Sequence, residues 1–528
     1  MAATAKTRAL GLLISSVPPT IDNAVDLVSL HRQMHFRGKS RAVRLVVVAK
    51  AHIIRDLQSA IGREWVLHAP EDLLVYEYDA TIERGLPEIV VVPDSAEQVA
   101  AAVRIARRHN LPVTARGAGT GLSGGAIPCD GGVVIVTSRM NRILEVDPEN
   151  RIAVVEPGVI NLDISRAVEP HGLYYAPDPS SQNVCTIGGN VAENSGGPHC
   201  LRYGMTTNHV VGLEIVTAEG EIVSLGGKTD TAGYDLTGIV VGSEGTLAIV
   251  TKAIVRLLYS AESTITLLAI FDEVDQASHA ASAIIAGGVL PAALEMMDKN
   301  TMEAVEPFIN AGYPPDAGAV LLIEVEGLEE DAREQSESVQ AVCKELSARE
   351  IRIGLSPEDR ERLWAGRKGA LGALGRLTPS YYILDGVVPR TSLPEVLRGV
   401  YDACDRHGFR VANVFHAGDG NLHPNVMFDE REPGATDRVL KLGEEIMRLC
   451  VDAGGSITGE HGVGSEKRSY MSWIFSEDDM AAMQRLKLAF SAADGFNPGK
   501  VFPTSKGCGE VSSRMKAAIA KVGPNAYV

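Results

Sequence analysis

Two histidines flank a single glycine-rich turn in the last quarter of this 528-residue sequence. Residues 414–425 read VFHAGDGNLHPN, in which AGDGN has the composition of a turn and both flanks are strand-like, so the segment predicts a β-hairpin. His416 and His423 are then expected to lie opposite each other on the two strands. Cross-strand neighbours have Cβ atoms about 4.5–5.5 Å apart, which suits two imidazoles that bind one metal ion. The pattern therefore predicts a metal site.

A carboxylate and a third histidine are adjacent in TGEHGVG, residues 458–464. Two histidines and one carboxylate with open coordination positions suit a catalytic divalent ion such as zinc, manganese or iron, so Glu460 is the predicted third ligand. His461 is poorly placed to bind the same ion as its neighbour. Because imidazole titrates near neutral pH, His461 is instead the candidate general base. A glycine loop with a surface Glu–His pair is the alternative.

A predicted helix with several basic residues offers a group that could bind an anion. Residues 363–376 read LWAGRKGALGALGR. Arg367 is the leading candidate, because a planar guanidinium binds a carboxylate through two parallel hydrogen bonds. Lys368 and Arg376 belong to the same helix, so a solvent-exposed basic face explains this stretch equally well.

A glycine-rich stretch upstream is suited to hold a second ligand. Residues 111–126 read LPVTARGAGTGLSGGA, and residues 119–124 match the pattern GxGxxG. A β-branched run follows at residues 133–136, so a strand rather than a helix comes next, and the stretch does not predict a Rossmann dinucleotide site. The backbone N–H groups of a glycine loop between two strands can still enclose a pyrophosphate. A flexible surface loop is the alternative.

The elements that must position these groups predict an α+β architecture. A strand, a helix and two further strands surround the glycine loop, and several short strands follow up to Leu258. The glycine-rich passage over residues 177–203 is longer than most connecting loops, so we expect it to form a second wall of the ligand site. After Tyr259, strands and helices alternate around at least one hairpin. This order predicts helices on one face of an antiparallel sheet.

The composition narrows the functional class. With 50 basic and 67 acidic residues the net charge is −17, which argues against nucleic acid or an anionic membrane as the main partner. None of the seven cysteines forms a CxxC pair, which argues against a disulfide framework, a zinc ribbon or an iron–sulfur cluster in this chain and suits a reducing, cytoplasmic compartment. No apolar run approaches the ~20 residues of a membrane helix, so no membrane span is expected.

Six motifs together resemble one protein family. They are ARGAGTGLSGG, PDPSSQNVCTIGGNVAENSGG, VGSEGTLAIV, HAGDGNLHPN, GEHGVGSEKR and NPGK, in this order. The family is that of flavin-linked 2-hydroxy-acid dehydrogenases with a vanillyl-alcohol-oxidase-type FAD domain, which includes the FAD subunits of glycolate oxidase and the D-lactate and D-2-hydroxyglutarate dehydrogenases. The resemblance covers roughly residues 55 to 505.

The resemblance implies an α+β fold with a two-subdomain FAD-binding domain and an α+β cap domain that has an antiparallel sheet. The implied divisions are an N-terminal extension (1–50), the FAD-binding domain (51–258), the substrate or cap domain (259–455), a C-terminal segment that returns to the FAD domain (456–505) and a tail (506–528).

The resemblance also implies a noncovalent FAD, because the histidine that often binds flavin covalently in other members is absent between Thr114 and Ala126. The residues that match the FAD-binding motifs are Arg116, Gly117, Gly119, Thr120, Gly121, Ser123, Gly124, Gly125, Pro177, Asp178, Ser180, Ser181, Gly188, Gly189, Asn190, Glu193, Asn194, Glu244, Gly245, Ile249 and Asn497.

The resemblance extends to the chemistry. The matching residues are the metal ligands His416, His423 and Glu460, the substrate-carboxylate contacts Arg367 and Asn425, and the catalytic base His461. In the implied reaction the metal polarises the substrate hydroxyl, His461 takes its proton, and the α-hydrogen leaves as a hydride to flavin N5. The product is a 2-oxo acid.

One departure from the family bears on the substrate. The 2-hydroxyglutarate enzymes align a threonine and a lysine, for the distal carboxylate, where this chain has Leu371 and Ile383. Apolar groups there would leave a second carboxylate unpaired, at a large energetic cost if it is buried. We therefore expect a small 2-hydroxy acid with one carboxylate, glycolate or D-lactate; D-2-hydroxyglutarate is the alternative.

The electrons must pass to an external acceptor, because the chain has neither an NAD fingerprint nor a cluster motif. Candidates are a quinone, a cytochrome, an electron-transfer flavoprotein, or iron–sulfur or other FAD-type partner subunits, which would hold a cytoplasmic protein at the inner face of the membrane.

Two other classes of protein are alternatives to a flavin-linked dehydrogenase. One is a metal-dependent hydrolase that needs no flavin, and the other is a noncatalytic FAD-binding scaffold subunit, against which the intact His, Glu and Arg set argues.

Overall fold

The computed structural model describes residues 50–229, 233–491 and 495–503. The predicted extension over residues 1–50 and the predicted tail over residues 506–528 lie outside these ranges, apart from Lys50. The helices of seven or more residues cover 50–61, Ala96–Arg108, Asn161–Val168, Ile187–Glu193, Val274–Ala286, Lys299–Ile309, Glu329–Glu345, Pro357–Leu377, Leu393–His407, Ala435–Asp452 and Glu477–Phe490. Among the described residues, no helix combines the length and the apolar composition that crossing a membrane requires.

A four-stranded sheet carries the glycine loop. Its strands are β1 (Val66–Leu67), β2 (Ile89–Val91), β3 (Val113–Arg116) and β4 (Val133–Val136), in the order β1-β2-β4-β3. β4 runs parallel to both β2 and β3. The helix Ala96–Arg108 makes the crossover that parallel strands need, and it starts at Ser95, whose hydroxyl accepts a hydrogen bond from the Gln98 N–H. The predicted strand, helix and strand around the loop are confirmed.

A second, antiparallel sheet follows in the chain. The strands of this region are β5 (Ile143–Asp147), β6 (Ile152–Val155), β7 (Leu173–Tyr174), β8 (Val210–Val216), β9 (Ile222–Gly226), β10 (Ile249–Arg256) and β11 (Leu258–Tyr259). Five of them form a sheet in the order β5-β6-β10-β8-β9, and β7 pairs with β11. The passage over residues 177–203 is not one continuous loop, because it contains the short helices Ile187–Glu193 and Cys200–Tyr203.

The cap region is built on a large antiparallel sheet. Its strands are β12 (Ser263–Phe271), β13 (Ala293–Asp298), β14 (Ala319–Gly327), β15 (Glu350–Gly354), β16 (Ser380–Ile383), β17 (Gly386–Val387), β18 (Arg410–His416), β19 (Asn421–Leu422) and β20 (Pro424–Phe428). The main path is β15-β12-β14-β13-β18-β19-β17, and β20 pairs with both β16 and β18. The α+β class and the antiparallel cap sheet are confirmed. The sequence pattern had not indicated β13, which carries two acidic residues.

Helices pack on both faces of this sheet, whereas the order of elements in the sequence predicts helices on one face. Alternate residues of β12 and β14 are buried in two separate cores, with Leu267 in one and Leu268 in the other. Strands that are apolar at successive positions are covered on both sides, which explains the difference. The second face contacts the helix Pro357–Leu377, which carries Arg367.

The C-terminal segment returns to the first sheet. Val113 of β3 forms a parallel bridge with Phe496, and its N–H donates to the Gly495 carbonyl at 2.8 Å. The buried Lys500 ammonium donates to the carbonyl oxygens of Gly124 (2.7 Å) and Ile127 (2.6 Å) at the end of the glycine loop. The NPGK motif therefore fixes the loop.

The cysteines differ in state. Five of them are free thiols, namely Cys185, Cys200, Cys343, Cys404 and Cys450. Cys129 is disulfide-bonded. The scattered cysteine spacing did not predict this bond.

Candidate active site

A cavity of about 650 Å³ lies where the glycine loop, the helix Ile187–Glu193 and the cap sheet meet. Both predicted sets of residues contribute to its walls. From the cofactor set these are Arg116, Gly117, Gly119, Thr120, Gly121, Gly125, Ser180, Ser181, Gly188, Gly189, Asn190, Glu193, Glu244, Gly245, Ile249 and Asn497; from the catalytic and metal sets they are Arg367, His416, His423, Asn425, Glu460 and His461. The structure thus brings residues from distant motifs to one space.

Five residues of the predicted cofactor set do not line this cavity, namely Ser123, Gly124, Pro177, Asp178 and Asn194. Three of them make structural contacts instead. The Asp178 carboxylate lies 2.7 Å from His199 Nδ1, and the Pro177 carbonyl accepts a hydrogen bond from Asn161 Nδ2 at 3.0 Å. Asn194 has a left-handed backbone, with φ of 52°, and ends the helix Ile187–Glu193.

The walls of the cavity fit an FAD. Arg116 Nη1, Thr186 Oγ1 and Asn497 Oδ1 are buried without a hydrogen-bond partner among the described residues, and all three residues line the cavity. Polar atoms that are buried in this way carry an energetic cost unless a ligand pairs with them. At Gly121 a Cβ atom would have no neighbour within 4 Å among the described residues, so the loop leaves room beside the cavity.

Glu244, which lines the cavity, also contacts the GEHGVG segment, residues 459–464. Its buried carboxylate accepts hydrogen bonds from the N–H groups of Val463 (2.8 Å) and Gly464 (2.6 Å). Burial raises the pKa of Glu244, although these two hydrogen bonds oppose the shift. Two motifs that lie more than 200 residues apart in the sequence are therefore held together at the cavity.

The predicted metal ligands converge. Glu460 Oε1 lies 3.1 Å from His416 Nε2 and 3.2 Å from His423 Nε2, and the two imidazole rings are nearly perpendicular, at 89°. Ligand atoms bound to one ion at about 2.1 Å are about 3.0–3.4 Å apart, so the three groups fit a divalent cation. Burial lowers the pKa of His416, but the charges of Glu295 and Glu460 outweigh it and raise that pKa well above its usual value.

The hairpin differs in register from the prediction. The residue opposite His416 is Asn421, not His423, because the chain pairs again immediately after the turn as β19. His423 lies between β19 and β20, where the strand is interrupted. The ring centroids of His416 and His423 are nevertheless only 5.2 Å apart.

A second group of possible ligands shares His423. One ligand atom each from Asp385, His423 and His461 also lies within 4.8 Å of the others. However, Lys467 Nζ donates to Asp385 Oδ2 at 2.8 Å, and this ammonium would repel a cation at the same carboxylate. The group of His416, His423 and Glu460 is therefore the better metal site.

His461 has the properties of a neutral base. Its ring stacks on His423 at a centroid distance of 4.9 Å and an interplanar angle of 10°. Burial lowers the pKa of His461 to about 4, although the Asp385 carboxylate opposes the shift. Its Nδ1 atom is buried and has no hydrogen-bond partner among the described residues. The imidazole is therefore uncharged at neutral pH and has a nitrogen available for a proton.

Arg367 is the buried member of the basic helix. Its side chain is 7% exposed, whereas Lys368 and Arg376 are exposed, so a common solvent-exposed basic face does not describe this residue. Arg367 Nε donates to Glu295 Oε2 at 2.7 Å. Burial raises the pKa of Glu295, but the charges of His416 and Arg367 outweigh it and lower that pKa to about 2. The guanidinium is held by a carboxylate at one edge and lines the cavity.

Two apolar residues of the cavity wall neighbour the predicted substrate-carboxylate contacts. Ile383 of β16 is the direct cross-strand partner of Asn425 of β20, and both line the cavity. Leu371 lies four residues after Arg367 on the same helix and also lines the cavity. The two residues that distinguish this chain from the 2-hydroxyglutarate pattern thus lie beside the two predicted carboxylate contacts.

The sequence motifs do not indicate three buried charged residues, Glu295, Asp385 and Lys467. Glu295 is the only acidic residue within an otherwise apolar run, ALEMM, and a carboxylate at such a position requires a partner, so this was the available signal. Asp385 and Lys467 gave no comparable signal, because their contacts join segments 82 residues apart.

Two protein-family models match the chain. The first, described as "FAD binding domain", matches residues 87–226, and the second, described as "FAD linked oxidases, C-terminal domain", matches residues 260–501. The chain belongs to the family of FAD-linked oxidoreductases of the vanillyl-alcohol-oxidase superfamily. The predicted family, the enzyme class and the FAD are confirmed at this level.

Curated relatives cover most of the chain. The glycolate oxidase subunit GlcD of Escherichia coli (strain K12) is 46% identical over 465 residues, which are 88% of this chain and 93% of that protein. The subunit of the same name from Bacillus subtilis (strain 168) is 43% identical and covers 81% of this chain and 92% of its own length. A D-lactate dehydrogenase of Archaeoglobus fulgidus is 34% identical, with coverages of 81% and 95%.

Solved structures share the fold at low sequence identity. The 4-ethylphenol oxidase from Gulosibacter chungangensis has a TM-score of 0.73 at 20% identity and covers 86% of this chain and 97% of its own. The p-cresol methylhydroxylase has a TM-score of 0.71 at 16% identity, with coverages of 85% and 96%. At this identity they establish the fold alone.

Proposed function

We propose that this protein oxidises a short 2-hydroxy acid, glycolate or D-lactate, to the corresponding 2-oxo acid, with a noncovalent FAD as the oxidant and a divalent metal ion at His416, His423 and Glu460. The observation that carries the proposal is the convergence of Glu460 Oε1 on both histidine Nε2 atoms, at 3.1 and 3.2 Å, in the cavity that the glycine loop also lines. The relatives named glycolate oxidase subunit and D-lactate dehydrogenase support the substrate class.

Different residues of the site bind the substrate, orient it and accept its proton. Arg367 and Asn425 bind and orient the substrate carboxylate. His461 accepts the hydroxyl proton at its buried Nδ1 atom, which has no hydrogen-bond partner in the part of the chain that the structure describes. The lowered pKa of His461 keeps the imidazole uncharged beforehand. When bound, a divalent ion lowers the pKa of a coordinated hydroxyl, and FAD accepts the α-hydrogen as a hydride.

The residues proposed to hold the FAD are those of the glycine loop, the helix Ile187–Glu193 and the segment around Glu244. Noncovalent binding is supported by His199, the histidine nearest to these walls in sequence, because its two ring nitrogens lie 2.7 Å from Asp178 and 3.3 Å from Glu324. Neither His199 nor Cys200 lines the cavity. The C-terminal contacts with β3 and the glycine loop support the division into an FAD-binding domain (51–258), a cap domain (259–455) and a returning segment (456–505).

The substrate is proposed to be short because of Leu371 and Ile383. A second carboxylate beside Arg367 and Asn425 would meet these two side chains instead of a cation or a hydrogen-bond donor. Burying an unpaired carboxylate is costly, so a dicarboxylate is expected to bind poorly.

The electrons are proposed to pass to an external acceptor, which includes iron–sulfur or other FAD-type partner subunits. The relatives named as glycolate oxidase subunits support a multi-subunit assembly. Such partners would place the protein at the inner face of the membrane.

An anaerobic titration of the purified, metal-replete protein tests the proposal. Glycolate, D-lactate, L-lactate and D-2-hydroxyglutarate are added in turn while the flavin absorption band is followed. We expect glycolate or D-lactate to bleach the band, EDTA to prevent this, and a divalent metal to restore it. Bleaching by D-2-hydroxyglutarate in preference to the short acids contradicts the substrate assignment. A yellow protein that no hydroxy acid reduces contradicts the reaction.

A further inference from the structure

Glu295 lies between the two halves of the site. Its Oε1 atom is 2.6 Å from His416 Nδ1, and its Oε2 atom accepts a hydrogen bond from Arg367 Nε at 2.7 Å. We propose that Glu295 is a positioning residue that fixes the metal ligand His416 and the carboxylate-binding Arg367 at the same time. This inference rests on the proposed function and concerns how its two binding sites are built.

The backbone supports this double role. Glu295 of β13 and His416 of β18 are direct partners in the antiparallel register, so their side chains leave the sheet side by side. Arg367 reaches the same point from the helix that covers this face. The Glu295 side chain is 1% exposed, so water cannot replace either partner.

Each contact selects a specific geometry. A hydrogen on His416 Nδ1 that points to Glu295 leaves Nε2, the nitrogen beside Glu460 and His423, as the metal-binding atom. A bond from Arg367 Nε fixes the plane of the guanidinium and leaves its other N–H groups for a substrate carboxylate. Because a single rigid carboxylate holds both, a change at Glu295 should weaken metal binding and carboxylate binding together.

Asp298, which lies on the same strand, provides a matched control because its buried carboxylate has structural contacts. Asp298 is 2% exposed and accepts hydrogen bonds from Thr301, Tyr401 and Asn413. It does not line the cavity. Replacing Asp298 removes an equally buried carboxylate from β13 but leaves His416 and Arg367 in place.

The test measures two affinities in the full-length, FAD-loaded protein. Mn²⁺ is titrated into EDTA-treated protein by calorimetry, and propionate is titrated into metal-free protein by the shift in flavin absorption. The proteins compared are the wild type, Glu295→Gln, Glu295→Asp and Asp298→Asn. The aspartate variant keeps the charge in the core but withdraws it by one methylene, so it remains informative if the glutamine variant does not fold.

We expect Glu295→Gln to weaken both Mn²⁺ and propionate by at least about tenfold, the scale for groups that orient metal ligands. Glu295→Asp should weaken both to a smaller extent, and Asp298→Asn should leave both within about twofold of the wild type. The inference is overturned if the Glu295 variants alter neither affinity or only one, or if Asp298→Asn weakens both equally. A wild-type protein that binds neither probe overturns the proposed function and this inference with it.

Discussion

The Asp385 carboxylate lies 2.8 Å from the Lys467 ammonium, and the two side chains are 0% and 2% exposed. The same carboxylate accepts hydrogen bonds from the backbone N–H groups of Gly459, Glu460 and His461, at 3.0 to 3.2 Å. Burial raises the pKa of Asp385, but the Lys467 charge, its hydrogen bond and the nearby imidazoles of His461 and His423 together outweigh it, so the pKa is held well below its usual range. One buried ion pair thus holds the segment that carries both Glu460, the proposed third metal ligand, and His461, the proposed base.

Replacing Asp385 by asparagine should therefore reduce both stability and activity. The change leaves the Lys467 charge buried without compensation, which costs about 3–5 kcal/mol. It also weakens the hydrogen bonds that orient Glu460 and His461, so the rate of flavin reduction should fall. Urea unfolding and stopped-flow flavin reduction measure the two effects. The double variant Asp385→Asn/Lys467→Met should regain part of the stability but not the rate of flavin reduction. If the stability losses of the two single variants simply add in the double variant, the two side chains do not stabilise the protein as a pair.

Gly121 is the glycine at which a side chain should block the cofactor without disturbing the fold. Its added Cβ would meet no atom of residues 50–229, 233–491 and 495–503 within 4 Å, so Gly121→Leu should leave the free energy of unfolding of the FAD-free protein within about 0.5 kcal/mol of the wild type. The side chain would enter space beside the cavity and lower the FAD content of the purified protein. Absorbance at the flavin band relative to protein concentration gives the occupancy.

Gly132 provides the control for this substitution. It has φ of +75°, and a Cβ there would approach the Pro112 carbonyl. Gly132→Ala should therefore lower stability by roughly 1–3 kcal/mol. A Gly121→Leu protein that retains full FAD occupancy would show that the space beside this residue is not used by the cofactor.

Arg367→Lys should raise the KM for the hydroxy acid while leaving the FAD content unchanged. Lysine keeps the positive charge but loses the fork that binds a carboxylate through two hydrogen bonds. A lost charge-assisted hydrogen bond is worth about 1.5–3 kcal/mol, so kcat/KM should fall by about 10- to 100-fold. Steady-state kinetics with glycolate and D-lactate test this. Lys368→Ala, at the exposed neighbouring position, should leave kcat/KM unaltered, and an equal effect of both variants would contradict the assignment.

His209 should make the protein sensitive to mild acid. Burial, with the nearby Arg256 charge, lowers the pKa of His209 from 6.5 to about 4. Its Nδ1 atom is buried without a hydrogen-bond partner among the described residues, and Nε2 lies 2.9 Å from the Tyr203 carbonyl. Between pH 4 and pH 6.5 the His209 imidazole is therefore protonated to a greater extent in the unfolded chain than in the folded protein. The contribution of His209 to stability is therefore complete above pH 6.5 and is lost as the pH falls towards 4.

His209→Gln removes this titration but keeps an N–H donor for the Tyr203 carbonyl. Between pH 7 and pH 4.5, the wild type should lose about 1–2 kcal/mol more stability than the variant. Urea unfolding of both proteins at the two pH values gives this difference. Parallel losses in the two proteins would exclude His209 as the source.

The sequence predicted local elements and the composition of the site better than long-range contacts. The helix Ala96–Arg108 and the strands around the glycine loop follow from hydrophobic period and turn residues, which are local properties. His416, His423, Glu460 and His461 carry recognisable chemistry in short motifs. The contacts that hold them were not predictable, because Glu295 lies 121 residues from His416 and no local pattern encodes that pairing. The register at His416 was also missed, since it depends on how the turn closes.

Leu371 and Ile383 together offer the sharpest test of the substrate. Leu371 lies one helical turn from Arg367, and Ile383 lies directly across from Asn425, so both adjoin the proposed carboxylate contacts. The double substitution Leu371→Thr/Ile383→Lys would supply a hydroxyl and a cation to a second carboxylate. We expect it to lower KM for D-2-hydroxyglutarate by at least about tenfold, the value of one charge-assisted hydrogen bond, and to raise KM for D-lactate.

The control is the isosteric pair Leu371→Met/Ile383→Val, which alters shape without adding a polar group and should leave the preference for short acids intact. Steady-state kinetics with both substrates, at equal FAD content, measure the change in kcat/KM ratio. If the polar variant gains nothing with D-2-hydroxyglutarate while remaining folded and yellow, the distal part of the substrate does not lie beside these residues. If the wild type already prefers the dicarboxylate, a group elsewhere in the cavity must pair with the second carboxylate.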